Sequence, residues 1–156
     1  MVFFRRSWWF GRLIHFYWRF ARPMTLGARG LVIDGHGRVF LIQHSYTEGW
    51  HLPGGGVEAG ETMIDALRRE LHEEGNIELT APPVLHGIFY NSRYSRRDHV
   101  AIYVVRGFRQ AQQPVPDREI VAHGFFAPDA LPEGTTASTR ARIAEVLDGT
   151  PAPERW

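Results

Sequence analysis

The stretch that decides the fold is GGVEAGETMIDALRRELHEEGNI, residues 55–77. It begins with glycines and continues with residues that favour a helix. Thr62 is a good N-cap residue, and the aspartate three positions later can complete a capping box. Gly75 and Asn76 are the two residue types that best tolerate the left-handed backbone of a helix C-cap. The stretch therefore predicts a glycine-rich loop followed by a helix over residues 63–74.

Three glutamates share one face of this predicted helix, because Glu70, Glu73 and Glu74 have i, i+3, i+4 spacing. Their face overlaps the edge of the apolar stripe that should pack against the core. Carboxylates crowded beside buried surface repel one another and lose hydration, and a hard divalent cation would remove both costs. Mg²⁺ or Mn²⁺ prefers such oxygen ligands. The alternative is an ordinary solvated acidic helix.

The complete stretch resembles the Nudix box, in which a glycine, five residues, a glutamate and seven residues precede Arg-Glu-hydrophobic-x-Glu-Glu-x-Gly-hydrophobic. Eight of the nine fixed positions match, and Asn76 replaces the second glycine. Asparagine accepts the same left-handed backbone as glycine. The matching residues are Gly55, Glu61, Arg69, Glu70, Leu71, Glu73, Glu74 and Ile77.

Two flanking segments also resemble small Nudix hydrolases. The first leads into the box and consists of Trp50, two further residues and then Pro-Gly-Gly-Gly. The second occupies residues 119–132 and contains a Glu-Ile pair, an aromatic pair and a Leu-Pro pair. The resemblance implies an α/β fold, the Nudix-type α/β/α sandwich with a mixed β-sheet between helices. The predicted strands cover residues 25–34 and 39–45, which are expected to form a hairpin, and residues 77–80, 84–90 and 100–108. A closing helix is predicted over residues 136–147. The predicted parts are an N-terminal extension (1–23), a Nudix domain (24–148) and a C-terminal tail (149–156).

The resemblance also assigns roles to the box residues. Glu70, Glu73 and Glu74 are implied as metal ligands, and one of them, or a glutamate from another loop, deprotonates the attacking water. Arg69 can reach Glu73 one turn later and is predicted to orient the carboxylates. Glu61 is predicted to fix the loop against the helix.

Further site residues are predicted outside the box helix. The carbonyl group of Gly54 and the carboxylate of Glu119 are implied as additional metal ligands, although Glu119 could equally be a surface residue. The polar loop 91–99 contains three arginines and a tyrosine that could hold a phosphate and stack a base, or simply be solvated. These substrate-binding candidates are Arg93, Tyr94, Arg96 and Arg97.

Composition excludes several classes of protein. The 156 residues contain no cysteine and no lysine, so disulfides, thiolate metal sites, cysteine nucleophiles and Schiff-base lysines are excluded. The absence of cysteine also argues against an isoprenoid diphosphate isomerase, which shares the fold but uses a catalytic cysteine. Cysteine-free composition is compatible with a reducing, cytoplasmic location.

The first thirty residues contain six arginines and no acid. Residues 3–22 are strongly aromatic, and Arg5, Arg12 and Arg19 recur every seven positions. Because Arg12 interrupts the apolar run, neither a transmembrane span nor a signal peptide is expected. Two interpretations remain: a helix that packs on the domain or on a second subunit as a homodimer, and an amphipathic segment in peripheral contact with an anionic membrane.

The predicted function is hydrolysis of a nucleoside diphosphate linked to a further moiety, with Mg²⁺, or Mn²⁺ in its place, as cofactor. Because an acidic helix repels an anionic diphosphate, cations must lie between the two. The expected partner is a small-molecule diphosphate, most simply a nucleotide, and no nucleic acid polymer. The alternative is a nucleotide-binding module that has the Nudix fold but no turnover. No base- or sugar-selecting signature is recognisable.

Overall fold

The computed structural model describes residue 17 and residues 23–156. Residues 23–156 form nine strands and two helices. These are β1 (Thr25–Val32), β2 (Val39–His44), β3 (Trp50–His51), β4 (Gly54–Gly56), α1 (Met63–Gly75), β5 (Ile77–Leu79), β6 (Val84–Tyr90), β7 (Asp98–Val105), β8 (Phe108–Gln110), β9 (Ile120–Phe126) and α2 (Ala137–Asp148). None of the helices in this described part is long and apolar enough to cross a bilayer.

A four-stranded mixed sheet in the order β4-β1-β7-β6 forms the centre of the fold. Strand β1 runs parallel to β7 along its whole length and antiparallel to β4. A second sheet has the order β3-β2-β9, and β5 pairs with β8. One core, packed against α1, contains Leu67 and Leu71 of that helix. The core on the other side of the sheet contains Ile102 of β7, Phe89 of β6 and Ile143 of α2. The predicted α/β/α sandwich is therefore confirmed.

The predicted hairpin between the first two strands is wrong. The segments of β1 and β2 pair only through the isolated bridge between Ile33, just after β1, and Val39, and then diverge into different sheets. Both edges of β1 are already occupied, by β7 on one side and by β4 on the other. The amide of Gly30 also donates to the carbonyl of Pro53 at 2.9 Å, just beyond the β4 ladder. Strand β2 pairs with β9 instead.

The strand predicted over residues 100–108 is two strands in the structure. Strand β7 begins earlier, at Asp98, and ends at Val105. The chain then turns at Gly107, whose carbonyl accepts hydrogen bonds from Thr80 and Ala81. Strand β8 pairs with β5 and not with the central sheet.

The residues after α2 pack against the sheet. The amide of Tyr90 donates to the carbonyl of Glu154 at 2.8 Å, and the amide of Trp156 donates to the carbonyl of Tyr90 at 3.1 Å. The ring of Trp156 lies edge-on against Phe89, with ring centroids 5.8 Å apart. The segment 149–156, predicted as a tail, thus covers part of the second core. The homodimer and membrane contacts predicted for residues 3–22 lie outside the described residues, apart from the exposed Tyr17.

Candidate active site

Helix α1 has the ends that its sequence predicts. The Thr62 side chain accepts a hydrogen bond from the Asp65 amide, and the Asp65 side chain accepts one from the Thr62 amide, which completes the capping box. Asn76 has φ 49° and ψ 33°, so it is a left-handed C-cap. Because Leu67 and Leu71 are fully buried, the rotation of the helix about its axis is fixed. This rotation directs the glutamate face towards the glycine loop.

Strand β4 passes close to β1 and to the carboxylates of α1. A Cβ atom on Gly54, which has φ +136°, would lie 2.2 Å from the carbonyl oxygen of Ala28. A Cβ atom on Gly55 would lie 2.4 Å from Glu70 Oε1. Only glycine tolerates both the backbone and the space at Gly54. The glycines of the loop therefore let its backbone reach the carboxylates directly.

Arg69 joins the loop to the helix. Its Nε donates to Glu61 Oε1 at 2.9 Å and its Nη2 to Glu61 Oε2 at 3.0 Å, so the ion pair is bidentate. Its Nη1 donates to Glu70 Oε1 at 2.6 Å and lies 3.7 Å from Glu73 Oε2. The hydrogen bonds from Arg69 lower the pKa of Glu61 to about 2. Arg69 thus contacts Glu61 on the loop and Glu70 on the helix, and its role in orienting the carboxylates stays a prediction.

Glu74 is the buried carboxyl group of the site. It is 7% exposed, and its Oε2 accepts a 2.7 Å hydrogen bond from the amide of Gly54. Burial raises its pKa to about 8, and the charge of Glu70 contributes in the same direction. His44 Nε2 lies 3.6 Å from Glu74 Oε1. Burial and the charge of Arg29 lower the pKa of His44, which disfavours a charged imidazole beside Glu74.

The other two predicted ligand side chains border the same region. Glu73 is 59% exposed, so its carboxylate is available at the surface of the helix. The hydroxyl group of Tyr46 donates to Glu119 Oε1 at 3.4 Å. The ring of Tyr46 lies 4.8 Å from that of His44, which in turn contacts Glu74, so Glu119 is on the Glu74 side of the site.

The chemistry of these donors fits a hard divalent cation. All of the predicted ligands are oxygen atoms, and the carboxylates of Glu70 and Glu74 meet the same glycine turn. In the arrangement seen here, Arg69 is bonded to Glu70. Among the described residues, no three carboxylate or imidazole side chains are close enough together to hold one ion.

A cavity of about 340 Å³ opens beside the glycine loop. Gly55 and Gly56 form one wall, and Asn91 and Tyr94 form part of another. Of the four predicted substrate-binding residues, Tyr94 lines this cavity. The other three, Arg93, Arg96 and Arg97, are exposed on the same loop but do not line it.

Arg29 on β1 is a site residue that the sequence interpretation missed. It lines the cavity together with the glycine loop, and its Nη1 donates to the carbonyl of Leu52 at 2.8 Å. The signal was present in the strand pattern. Arg29 shares the inward-facing side of β1 with the buried residues Leu31 and Ile33, where a charged residue is unusual.

Comparisons with known proteins agree with this fold. A model of the NUDIX domain matches residues 23–147. A MutT-like protein of Streptomyces ambofaciens is 28% identical over 125 residues, which cover 80% of this chain and 78% of that protein. The crystal structure of a MutT NUDIX hydrolase from Burkholderia pseudomallei superposes with a TM-score of 0.68 at 26% identity, covering 80% of this chain and 98% of that chain.

Other matches are shorter. The 8-oxo-dGTP diphosphatase of Proteus vulgaris is 44% identical over 57 residues, 34% of this chain and 51% of that enzyme. The RNA pyrophosphohydrolase of Halorhodospira halophila is 46% identical over 44 residues, 28% of this chain and 24% of that enzyme. The match thus covers only about half of one enzyme and a quarter of the other. The family model, in contrast, spans most of the chain, and the box geometry lies within it. The chain belongs to the Nudix hydrolase family.

Proposed function

We propose that the protein hydrolyses the diphosphate linkage of a nucleoside diphosphate joined to a further moiety. The observation that carries the proposal is the placement of two box carboxylates, Glu70 and Glu74, against the Gly54-Gly55 turn. The turn borders a cavity large enough for part of a nucleotide. A water molecule attacks a phosphorus atom of the diphosphate, and the bond to one bridging oxygen breaks.

The reaction requires a divalent cation, for which we propose Mg²⁺, with Mn²⁺ able to replace it. The carboxylates of Glu70, Glu73 and Glu74 would hold it, with the Gly54 carbonyl and Glu119 completing the protein ligands. When bound, the ion supplies charge neutralisation on the diphosphate and a lower pKa of the attacking water.

The chain's own residues position the reacting groups. Arg69 holds the Glu70 carboxylate and anchors the loop through Glu61, so the carboxylates stay oriented while substrate enters. A glutamate of the box, or Glu119, accepts the proton of the attacking water. The loop 91–99 contributes Tyr94 as a stacking surface at the cavity.

The three arginines of that loop, Arg93, Arg96 and Arg97, attract the anionic substrate at the cavity edge. One of the relatives is named an 8-oxo-dGTP diphosphatase, which supports a compact nucleotide as the proposed substrate class. A cytoplasmic location, with homodimer or peripheral membrane contact through residues 3–22, completes the proposal.

A binding module without turnover is the second candidate. The intact set of box glutamates argues against it.

Glu74→Gln tests the proposal, with Glu78→Gln as the matched control. Glutamine can still accept the Gly54 hydrogen bond, so the variant should fold, but it cannot hold a cation or accept a proton as a carboxylate does. We expect a loss of kcat of roughly 10²-fold or more under Mg²⁺. Glu78 lies on β5, is exposed and pairs with Arg109, so its variant should keep full activity. Equal activity of all three proteins would contradict the assignment of Glu74.

A further inference from the structure

Arg29 is a cation with few protein partners in the wall of the proposed substrate cavity. A guanidinium group has five N–H donors. Among the described residues, the only acceptor hydrogen-bonded to its side chain is the Leu52 carbonyl, and no carboxylate pairs with it. The residues that the structure does not describe cannot supply a carboxylate side chain, because no acid precedes Asp34 in the sequence.

The carboxylates nearest to Arg29 are engaged elsewhere. Their charges favour its protonated form, while burial lowers its pKa. Glu74 accepts from the Gly54 amide and Glu70 from Arg69. Asp98 accepts from the hydroxyl group of Thr25 and from the side-chain amide of Asn91. The remaining donors of Arg29 are not sealed in the core, so they can reach an acceptor that enters the cavity.

Space for such an acceptor exists beside Arg29, which lines two cavities. The cavity of about 340 Å³ connects it with Gly55 and Gly56 of the box. A second cavity, of about 180 Å³, lies against Arg29, His51 and Thr139. Arg29 therefore borders both the cavity at the glycine loop, where the diphosphate is proposed to bind, and a second space next to it.

We propose that Arg29 binds an anionic group of the substrate, a phosphate or a carboxylate, that lies beyond the diphosphate to be cleaved. The planar guanidinium group matches either anion with two parallel hydrogen bonds. The preferred substrates then carry a third anionic group, and a neutral moiety leaves Arg29 without an acceptor. This inference rests on the proposed diphosphate hydrolysis and adds a specificity determinant to it.

The first test compares substrates that differ in one charge. UDP-glucose and UDP-glucuronate differ by a carboxylate on the sugar, and a nucleoside triphosphate provides a third phosphate. Arg29→Met removes the charge at similar length, and Arg109→Met makes the same change at an exposed position on β8. We expect Arg29→Met to lower kcat/KM by about 10- to 100-fold, mainly through KM, for at least one of the charged substrates. For UDP-glucose, we expect Arg29→Met to change kcat/KM by less than threefold. We expect Arg109→Met to change kcat/KM by less than threefold for every substrate.

Selectivity separates this role from a structural one. If Arg29 only holds the Leu52 carbonyl, its substitution lowers kcat/KM equally for charged and neutral substrates, and the proposal is wrong. If Arg29→Met lowers kcat/KM for UDP-glucuronate alone, the group that Arg29 binds is a carboxylate. If it lowers kcat/KM for the triphosphate alone, the group is a phosphate. If Arg29→Met does not fold, Arg29→Lys keeps the charge without the planar fork, and a smaller shift of the same kind is expected.

A binding measurement keeps the inference separate from turnover. Inorganic phosphate is titrated into the full chain by calorimetry, without substrate hydrolysis. We expect wild type and Arg109→Met to bind phosphate equally, and Arg29→Met to bind it at least tenfold more weakly. Unchanged affinity in Arg29→Met, or no binding by wild type, would overturn a phosphate as the ligand of Arg29, and together with an unshifted preference for UDP-glucuronate it would overturn the role of Arg29. Phosphate binding that depends on Arg29, without hydrolysis of any nucleotide, would support Arg29 and sink the proposed reaction instead.

Discussion

Glu74 is buried and also lies near other negative charges, and both properties disfavour an ionised carboxyl group in a folded protein. It is a carboxyl group at the edge of the core, and the only hydrogen bond to it in the described structure comes from the Gly54 amide. Nearby Glu70 and Glu119 add like charge and disfavour its ionised form. Groups with such conflicts concentrate at functional sites. A bound cation would resolve the conflict, which is the physical reason for assigning the chemistry to this residue.

Arg69→Lys should separate activity from stability. Lysine keeps the positive charge but cannot form the bidentate pair with Glu61 while also bonding Glu70. Because these groups are partly exposed, we expect the free energy of unfolding to change by less than about 1 kcal/mol. Activity should fall by about 10- to 100-fold, the usual loss when a residue that orients metal ligands is changed. Steady-state kinetics and urea denaturation on the same preparation measure both quantities.

Arg68→Lys is the control for this change, since Arg68 is exposed on the same helix and, in the described part of the chain, forms an ion pair with Asp65 alone. It should leave kinetics and stability unchanged. If Arg69→Lys behaved like this control, Arg69 would have no positioning role.

The candidate site residues that can be named from the sequence are those whose spacing is local. Glu61, Arg69 and the three box glutamates are separated by whole helical turns or by one loop, so one periodic pattern relates them. Arg29 was missed because its relation to the box is made by strand pairing, 25 residues away from Gly54 along the chain. The available signal was an arginine on a buried face of a strand. It indicates that Arg29 is unusual but does not predict that it lies beside the box.

At the scale of elements, the glycine loop is the most constrained part of the fold. Gly54→Ala places a methyl group 2.2 Å from the Ala28 carbonyl and forces an L-residue to φ +136°. We expect the free energy of unfolding to fall by about 3 kcal/mol or more, because β4 must leave the edge of β1. Thermal and chemical denaturation measure the change.

Gly56→Ala is the matched control two residues away. A Cβ atom there meets nothing within 4 Å, and its φ is not positive. We expect a change of less than about 1 kcal/mol. Equal destabilisation by the two substitutions would show that the close approach of β4 to β1 is wrong.

The elements that could be predicted are those with local signals. The box helix was predicted to within one residue, because Thr62 and Asn76 cap it. The pairing of β1 with β7 joins residues more than 70 positions apart, and no turn signal reports such a contact. The Asp34–Arg38 turn looked like a hairpin because two apolar runs flank it, but the edges of β1 were already paired with β4 and β7.

At the scale of the whole molecule, the C-terminal segment completes the second face of the sandwich. Trp156 packs on Phe89, and the guanidinium group of Arg142 lies 4.3 Å from the Phe89 ring centroid and 5.5 Å from that of Trp156. Arg142 is 3% exposed and pairs with Glu145. We expect Trp156→Ala to lower the free energy of unfolding by about 2 kcal/mol, since it uncovers both groups.

Tyr94→Ala is the control for that stability measurement, because Tyr94 is 80% exposed. Its loss should change the unfolding free energy by less than about 0.5 kcal/mol. If Trp156→Ala were as mild as Tyr94→Ala in urea denaturation, the C-terminal segment would not be part of the packed fold.

The central claim is that the box carboxylates support metal-dependent hydrolysis of a nucleoside diphosphate derivative. The most direct measurement is a hydrolysis panel with Mg²⁺, with Mn²⁺ and with chelator, in which each product is identified. The panel contains nucleoside triphosphates, ADP-ribose, sugar nucleotides and diadenosine polyphosphates. We expect release of phosphate-containing products from at least one class, only when metal is present. Tight nucleotide binding without hydrolysis across the whole panel would contradict it.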